Sequence, residues 1–390
     1  MSKYKKLFSL LASLALSNVV AQALSQTAAT TPAAAATPTA VPTPVVTVDG
    51  LVDGYYTYNF TNPTVNSTDG YWYNSASNAY TLGLAEIKAT ATQGQASGHL
   101  VLAYGQEAPT SSGGLGIGSG PGIDVLQAYV SYNPGQWTFN FGKFVTWMGY
   151  EVIESTGNMN YSHSLLFGAL PYWHTGFSAN YTPSSTFNIT GYVTDGNNTT
   201  GASLLGKTYG LEAVLAPDSM WSFTFNGIMG PTIWYLTTQS SATGELIIGY
   251  KPDSNWSFAL DSQLGNKTVP SGDTASSYYG IALYGKCQIA SDYSLALRLE
   301  TLTDTNDNTV GLYGNGDGPT NETMAGNPYN GKEITLTLEH DFTPNMIARL
   351  EGRIDMASYN GASDNAFATN TVGSPTSSQG TGTASVAYTF

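Results

Sequence analysis

The chain has 390 residues, of which only 10% are charged, and its 27 Asp+Glu outnumber 13 Lys+Arg for a formal net charge of −14. That balance argues against a nucleic-acid partner, which needs basic patches to neutralise phosphates, and the single cysteine, Cys287, rules out an internal disulfide framework. Low charge combined with 12% aromatic residues, 26 Tyr and 43 Gly also departs from a soluble domain, where about a quarter of residues are charged.

Lys3, Lys5 and Lys6 precede an apolar run from Leu7 to Val20 that ends in Ala21-Gln22-Ala23. A basic region, a short apolar region and an Ala-x-Ala site read as a signal peptide over residues 1–23. The run is too short for the ~20 residues of a spanning helix. Residues 24–45 (TPAAAATPTAVPTP at 31–44) are Ala/Thr/Pro-rich and read as a linker. Loss of the leader removes three lysines and makes the exported chain still more acidic. An exported chain with no further long apolar stretch and abundant Tyr and Gly is best explained as an all-β protein. The fold it fits is a transmembrane antiparallel β-barrel over 46–390.

A recurring unit supports this. Short polar turns are each followed by a large apolar residue and then by strict alternation. NPGQ leads to Trp137, Phe139 and Phe141; TPSST to Phe187 and Ile189; APDSM to Trp221, Phe223 and Phe225. KPDSN leads to Trp256 and Phe258, SD to Tyr293, Leu295 and Leu297, and TPN to Met346, Ala348 and Leu350. With TQGQASG at 92–98 there are seven such turns. They pair fourteen strands, near 79–91/98–106, 123–133/136–146, 172–182/186–195, 207–216/220–230, 243–251/254–264, 276–290/292–303 and 331–342/345–356. A first strand (46–60) and a closing one (380–390) bring the count to about sixteen, within a range of 14–18. Longer Gly/Asn/Ser/Thr-rich segments (61–78, 107–122, 147–171, 196–206, 231–242, 265–275, 304–330, 357–379) alternate with the turns. Short periplasmic turns and long extracellular loops are the outer-membrane arrangement. A soluble β-sandwich would also alternate, but not with short and long connections in strict succession. Trp137, Phe187, Trp221, Trp256 and Tyr293, just inside the turns, are placed for an aromatic girdle at headgroup depth.

The chain closes on ASVAYTF, with Ala384, Val386, Tyr388 and Phe390 on one face. The last strand is expected to pair with the first so that no edge faces lipid. VDGLVDGYYTYNFTNP (48–63), QAYVSYNPGQWTFNFGKF (127–144) and GYEVIESTGNMNYSHSLLFGALPYWHTGF (149–177) resemble the putative beta-barrel porin-2, or OmpL-like, family, in order over most of the barrel. After the seventh strand this chain has TDGNNTT where the family carries an Asn-Gly-Trp-Asp type segment. The resemblance implies an outer-membrane porin without cofactor or catalysis, and it extends to association as a homotrimer. Val386, Tyr388 and Phe390 resemble the C-terminal signal read by the barrel assembly machinery.

Charges within strands share one face, as a polar lumen requires. Arg349, Glu351, Arg353 and Asp355 alternate with Leu350, Gly352 and Ile354; Arg298 and Glu300 oppose Leu297 and Leu299; Asp49 and Asp53 oppose Val52. The bland alternative is that they are cross-strand ion pairs tying the wall together. Segment 147–171 joins the fifth and sixth strands, and in general sixteen-stranded porins that connection folds into the lumen. By that analogy Glu151 and Glu154 narrow the pore opposite Arg298, Arg349 and Arg353 and set a transverse field. Tyr161, Tyr172 and Trp173 offer a weaker signal for sugar stacking. The four histidines are scattered without zinc spacing. DTNDNTVG (304–311) resembles a calcium loop through Asp304, Asn306 and Asn308 but lacks the Gly and Glu such a loop needs.

The expectation is therefore a water-filled channel in outer-membrane lipid, passing small hydrophilic solutes or ions with mild cation preference. Two rivals stand beside it. One is a non-conducting structural or adhesive barrel whose outer loops bind partners; the other is an exported soluble glycan-binding β-protein.

Overall fold

The computed structural model describes residues 43–63, 68, 71, 73–108, 123–198, 206–234, 237–268, 276–305, 328–359, 367 and 376–390. The signal-peptide segment, most of the linker and the calcium-like Asn306 and Asn308 lie outside these. Sixteen strands form one closed antiparallel barrel. They are β1 Val45–Asn59, β2 Tyr80–Gln93, β3 Ala96–Tyr104, β4 Asp124–Tyr132, β5 Trp137–Val145 and β6 Trp173–Ser184. There follow β7 Phe187–Thr194, β8 Thr208–Leu215, β9 Trp221–Trp234, β10 Thr237–Tyr250 and β11 Trp256–Thr268. The last five are β12 Ser276–Ala290, β13 Tyr293–Asp304, β14 Tyr329–Thr343, β15 Met346–Tyr359 and β16 Ser378–Thr389. Each strand pairs with its sequence neighbours, and β16 pairs with β1 from Leu51↔Thr389 to Asn59↔Thr381.

The turns work as their residues dictate. The Oδ1 of Asp218 accepts from the backbone N–H groups of Met220 and Trp221, both at 2.8 Å. Asp253 does the same for Asn255 and Trp256 at 2.8 and 2.9 Å. An Asp that caps its own turn in this way starts the next strand at a fixed residue, a tryptophan in both hairpins.

Alternation then sorts each strand. On β13, Ser294, Ala296, Arg298, Glu300 and Leu302 are buried while Tyr293, Leu295, Leu297 and Leu299 are exposed on the outer wall. In a closed barrel those two sets face the interior and the lipid. Trp137, Trp221, Trp256 and Tyr293 stand exposed on the outer wall at the short-turn rim, with Phe187 half-buried beside them. Trp221 stacks on Tyr250 across the β9–β10 pair with ring centroids 4.2 Å apart. Val386, Tyr388 and Phe390 also face outward. The Phe390 ring lies where a Cβ on Gly50 would stand, 2.2 Å from its Cζ, so only glycine permits that contact.

The connection expected at 231–242 is not long. β9 runs to Trp234 and β10 begins at Thr237, with Pro231 opposite Ser240. Gly230-Pro231 reads as a strand breaker. Pro231 lies past the last β8–β9 pair among the described residues, Tyr209↔Met229, at an edge position that tolerates proline.

The main apolar core is inside the barrel. Leu165 and Leu166 of the β5–β6 connection pack on Ala259, Tyr278, Ala282, Tyr284 and Leu302 of the wall. Ile153, Phe167, Tyr172 and Trp173 pack on Leu51, Leu84, Val101 and Leu126. Two alanines, Ala259 and Ala282, leave room on the wall for the leucines.

Candidate functional site: the in-folded loop and the lumen wall

The β5–β6 connection, residues 146–172, occupies the barrel interior. Thr146 N–H donates to the Tyr172 carbonyl at 2.9 Å and closes its base. Beyond that it contains a 3-10 turn at Ser155–Gly157 and a single helical turn, α1, Leu165–Gly168, N-capped by Ser164. Most of its backbone N–H and C=O groups therefore lack secondary-structure partners, and a dry interior demands that they find others.

The charged wall supplies them. Arg298 donates to the Ser162 carbonyl at 2.5 Å, Arg353 to the His163 carbonyl at 2.7 Å, and Arg349 to the carbonyls of Ser155 and Asn158 at 2.6 and 2.9 Å. The carboxylates take the opposite groups. Glu351 accepts from the N–H of Tyr161 (2.6 Å) and Ser162 (3.1 Å), and Glu300 from Leu165 (2.7 Å) and Leu166 (2.6 Å) at the start of α1. Glu245 on β10 accepts from Gly149 at 2.9 Å, and Asn160 donates to Thr337 of β14 at 2.8 Å. Asp53 of β1 accepts from the hydroxyls of Ser155 and Tyr161.

The two loop carboxylates are also paired. Glu151 meets Arg298 at 2.7 Å while accepting from Ser164 N–H, and Glu154 meets Lys88 of β2 at 2.6 Å. Arg298 binds Glu333 behind it, Arg349 binds Glu339, and Arg353 binds Asp355, each at 2.7 Å. Arg298, Arg349 and Arg353 are 0, 3 and 2% exposed. Glu151 thus touches Arg298 directly, and no water-filled gap separates acidic loop from basic wall. The field expected across an opening is short-circuited by contact. Asp53, Glu300, Glu351 and Asp355 are likewise buried, whereas Asp49, on the same face of β1 nearer the short-turn rim, is exposed.

Tyr161, Tyr172 and Trp173 are 1, 8 and 5% exposed and belong to this packing, so they present no face for a sugar to stack on. His163 is fully enclosed; its Nε2–H donates to the Val152 carbonyl at 2.9 Å, and burial pulls its pKa down. Glu107, just past β3, sits near Asp53 and the Tyr161 hydroxyl, and burial followed by the Asp53 charge pushes its carboxyl well up.

The opposite wall differs. On β4–β8 the inward positions are Tyr129, Thr138, Asn140, Ser178, Asn180, Thr190, Tyr192 and Glu212, and most are half-exposed. With Phe144, Val145, Thr146 and Trp147 they line a recess of about 400 Å³ beside the loop. Asn140 donates to Ser178 at 3.1 Å, Asn180 to Thr190 at 2.8 Å, and the Tyr192 hydroxyl to Glu212 at 3.3 Å. Sequence reasoning singled out none of these. Their signal was present in the alternation of Thr138 and Asn140 with Phe139 and Phe141, and of Ser178 and Asn180 with Phe177 and Ala179. Charges drew attention and amides did not.

Known structures share this architecture at low identity. The outer-membrane channel DcaP of Acinetobacter baumannii superposes with a TM-score of 0.61 at 12% identity, covering 89% of this chain and 97% of that one. Outer-membrane expressed OmpT of Vibrio cholerae gives 0.56 at 11%, covering 89 and 98%. An anion-selective porin from Comamonas acidovorans gives 0.55 at 12%, covering 89 and 100%. These likenesses speak to the fold. No curated protein sequence matches significantly. The family model for "Putative beta-barrel porin-2, OmpL-like" matches residues 45–390, the whole barrel from β1 to the last residue, and the chain belongs to that family.

Proposed function

We propose that the protein is an outer-membrane channel through which small hydrophilic solutes diffuse passively, with mild cation preference. Loop 146–172 is its constriction. The observation that carries this reading is the asymmetry of the interior. The loop seals one side, while the polar face of β4–β8 stays half-exposed around a recess. Cation preference rests on the acidic chain and on the sequestration of Arg298, Arg349 and Arg353. Among the described residues lining the recess, Glu212 is the charged one. Association as a homotrimer through the outer wall belongs to this proposal.

One observation favours a second reading, a non-conducting barrel whose outer loops bind partners. The loop is bonded to β1, β2, β10, β13, β14 and β15, most of the way round the interior. Conductance of the folded protein in a planar bilayer across a KCl gradient decides between them. Discrete steps with a cation-favouring reversal potential support the channel. A heat-modifiable barrel that inserts and stays silent favours the second reading.

A further inference from the structure

We propose that the inward face of β5–β7 is a track for neutral polyhydroxylated solutes, mono- and disaccharides, in place of ions; this rests on the channel reading above. Thr138 and Asn140 on β5, Asn180 on β6, and Asn188 and Tyr192 on β7 form a half-exposed patch of amides and hydroxyls, with Ser178 and Thr190 buried among them as acceptors for Asn140 and Asn180. Positions two apart along a strand are about 7 Å apart, and neighbouring strands about 4.8 Å. The patch therefore repeats at the scale of a sugar ring.

Its chemistry is that of the solute. An amide or hydroxyl both donates and accepts, as every sugar hydroxyl does. Asn140–Ser178, Asn180–Asn188 and Asn180–Thr190 are already linked, which fixes the orientation of the side chains before a solute arrives. Tyr192 is held by Trp147, with ring centroids 3.8 Å apart and planes 9° from parallel. Tyr129 is held by His99 at 4.5 Å and 13°. Two stiffened tyrosines thus stand at the edges of the patch. Such a wall replaces a sugar's hydration shell bond for bond. It offers an anion no cationic partner among the described residues, since Glu212 is the charged group lining the recess and Lys143, nearby on β5, is turned to Asp124 at 3.5 Å. The recess of about 400 Å³ lies at the lower end of the volumes, about 300–1,000 Å³, typical of small-molecule sites.

The test is single-channel recording in symmetric KCl with maltose, then gluconate, then glycerol added to one side. Maltose is expected to lower the open-channel current saturably, with gluconate and glycerol producing only the change in solution conductivity. The double variant Asn140→Leu/Asn180→Leu is expected to weaken the maltose block about tenfold, the loss of roughly two net hydrogen bonds, with the KCl conductance retained. Should that variant fail to fold, as judged by heat modifiability, Thr138→Val/Asn188→Leu removes two half-exposed polar groups instead. Channels that conduct KCl but respond to maltose as they do to glycerol overturn the track and leave the channel standing. A barrel that never conducts overturns the channel, and the track with it.

Discussion

On β13–β15 the inward positions carry Arg298, Glu300, Arg349, Glu351, Arg353 and Asp355; on β5–β7 the same parity carries Thr138, Asn140, Ser178, Asn180 and Thr190. Both faces are polar and both alternate with an apolar outer wall, yet they end in opposite states. The charged face is dry, because every charge on it has been taken up by a neighbour or by the backbone of the in-folded loop. The neutral face keeps contact with water at Thr138, Asn140 and Asn180, with Ser178 and Thr190 buried between them. A charge in a lumen is therefore not the same as a charge that a solute meets. Charged groups on this wall hold protein, and half-exposed amides and hydroxyls are left open to water.

The largest expected effect comes from breaking the dry side. Arg298→Ala strips the paired cation from both Glu151 and Glu333 and leaves them buried with hydrogen bonds from Ser164 and Thr335 in its place. Removing one member of a buried pair costs about 3–5 kcal/mol. The barrel's own strand ladder is untouched, so the loss should fall on loop docking. Amide exchange of residues 147–171 is expected to accelerate and the open-channel conductance to rise, with the heat-modifiable barrel retained. An unchanged exchange rate would mean that the arginine does not hold the loop.

Glu351→Ala acts on the same side with less force. Two N–H donors, of Tyr161 and Ser162, and the Thr337 hydroxyl lose their acceptor. No buried charge loses its ion-pair partner, since Arg349 keeps Glu339 and Arg353 keeps Asp355, and the unpaired groups are neutral donors. Loop exchange should quicken less than in Arg298→Ala.

Much of the first half of this comparison was legible in the sequence, and the second half was not. Sixteen strands could be read because period-two alternation and self-capping Asp turns are local, and each Trp after a turn marks a strand start. The inward parity of Arg298 or Glu351 follows from the same alternation. Which backbone group each would bind does not, since Arg349 and Ser155 are 194 residues apart and nothing local records their meeting. Glu151 was expected to face the arginines across water because a loop's depth of entry depends on that same set of distant bonds.

Acid should weaken the share of loop docking that depends on His163. His163 is enclosed near Arg298 and Arg353, with Glu151 and Glu351 as the facing carboxylates, and its folded pKa lies below the ordinary value near 6.5. Its contribution to docking is fully present above the unfolded pKa. It is lost as pH falls below about 6.5 towards the folded value, because only the released ring takes up the proton. The slope is at most about 1.4 kcal/mol per pH unit for one group. Loop exchange, corrected for its intrinsic pH dependence, should rise more between pH 7.5 and 5 in the wild type than in His163→Asn, the other buried groups being common to both. A wild-type profile no steeper than the variant's would place the titration elsewhere.

The smallest effect sharpens the comparison most. Glu151 and Glu154 are spent on Arg298 and Lys88, while Glu212 lines the open recess. If contact with water decides what a permeating ion feels, Glu212→Gln should shift the KCl reversal potential towards zero by a few millivolts, an effect on the order of that from one partly screened charge. Glu151→Gln should shift it less, despite sitting in the constriction loop, and should announce itself through loosened docking to Arg298. The reverse order, with Glu151 dominating selectivity at unchanged loop exchange, would mean that an ion path runs along the arginine side after all. The two halves of the lumen would then have to exchange roles.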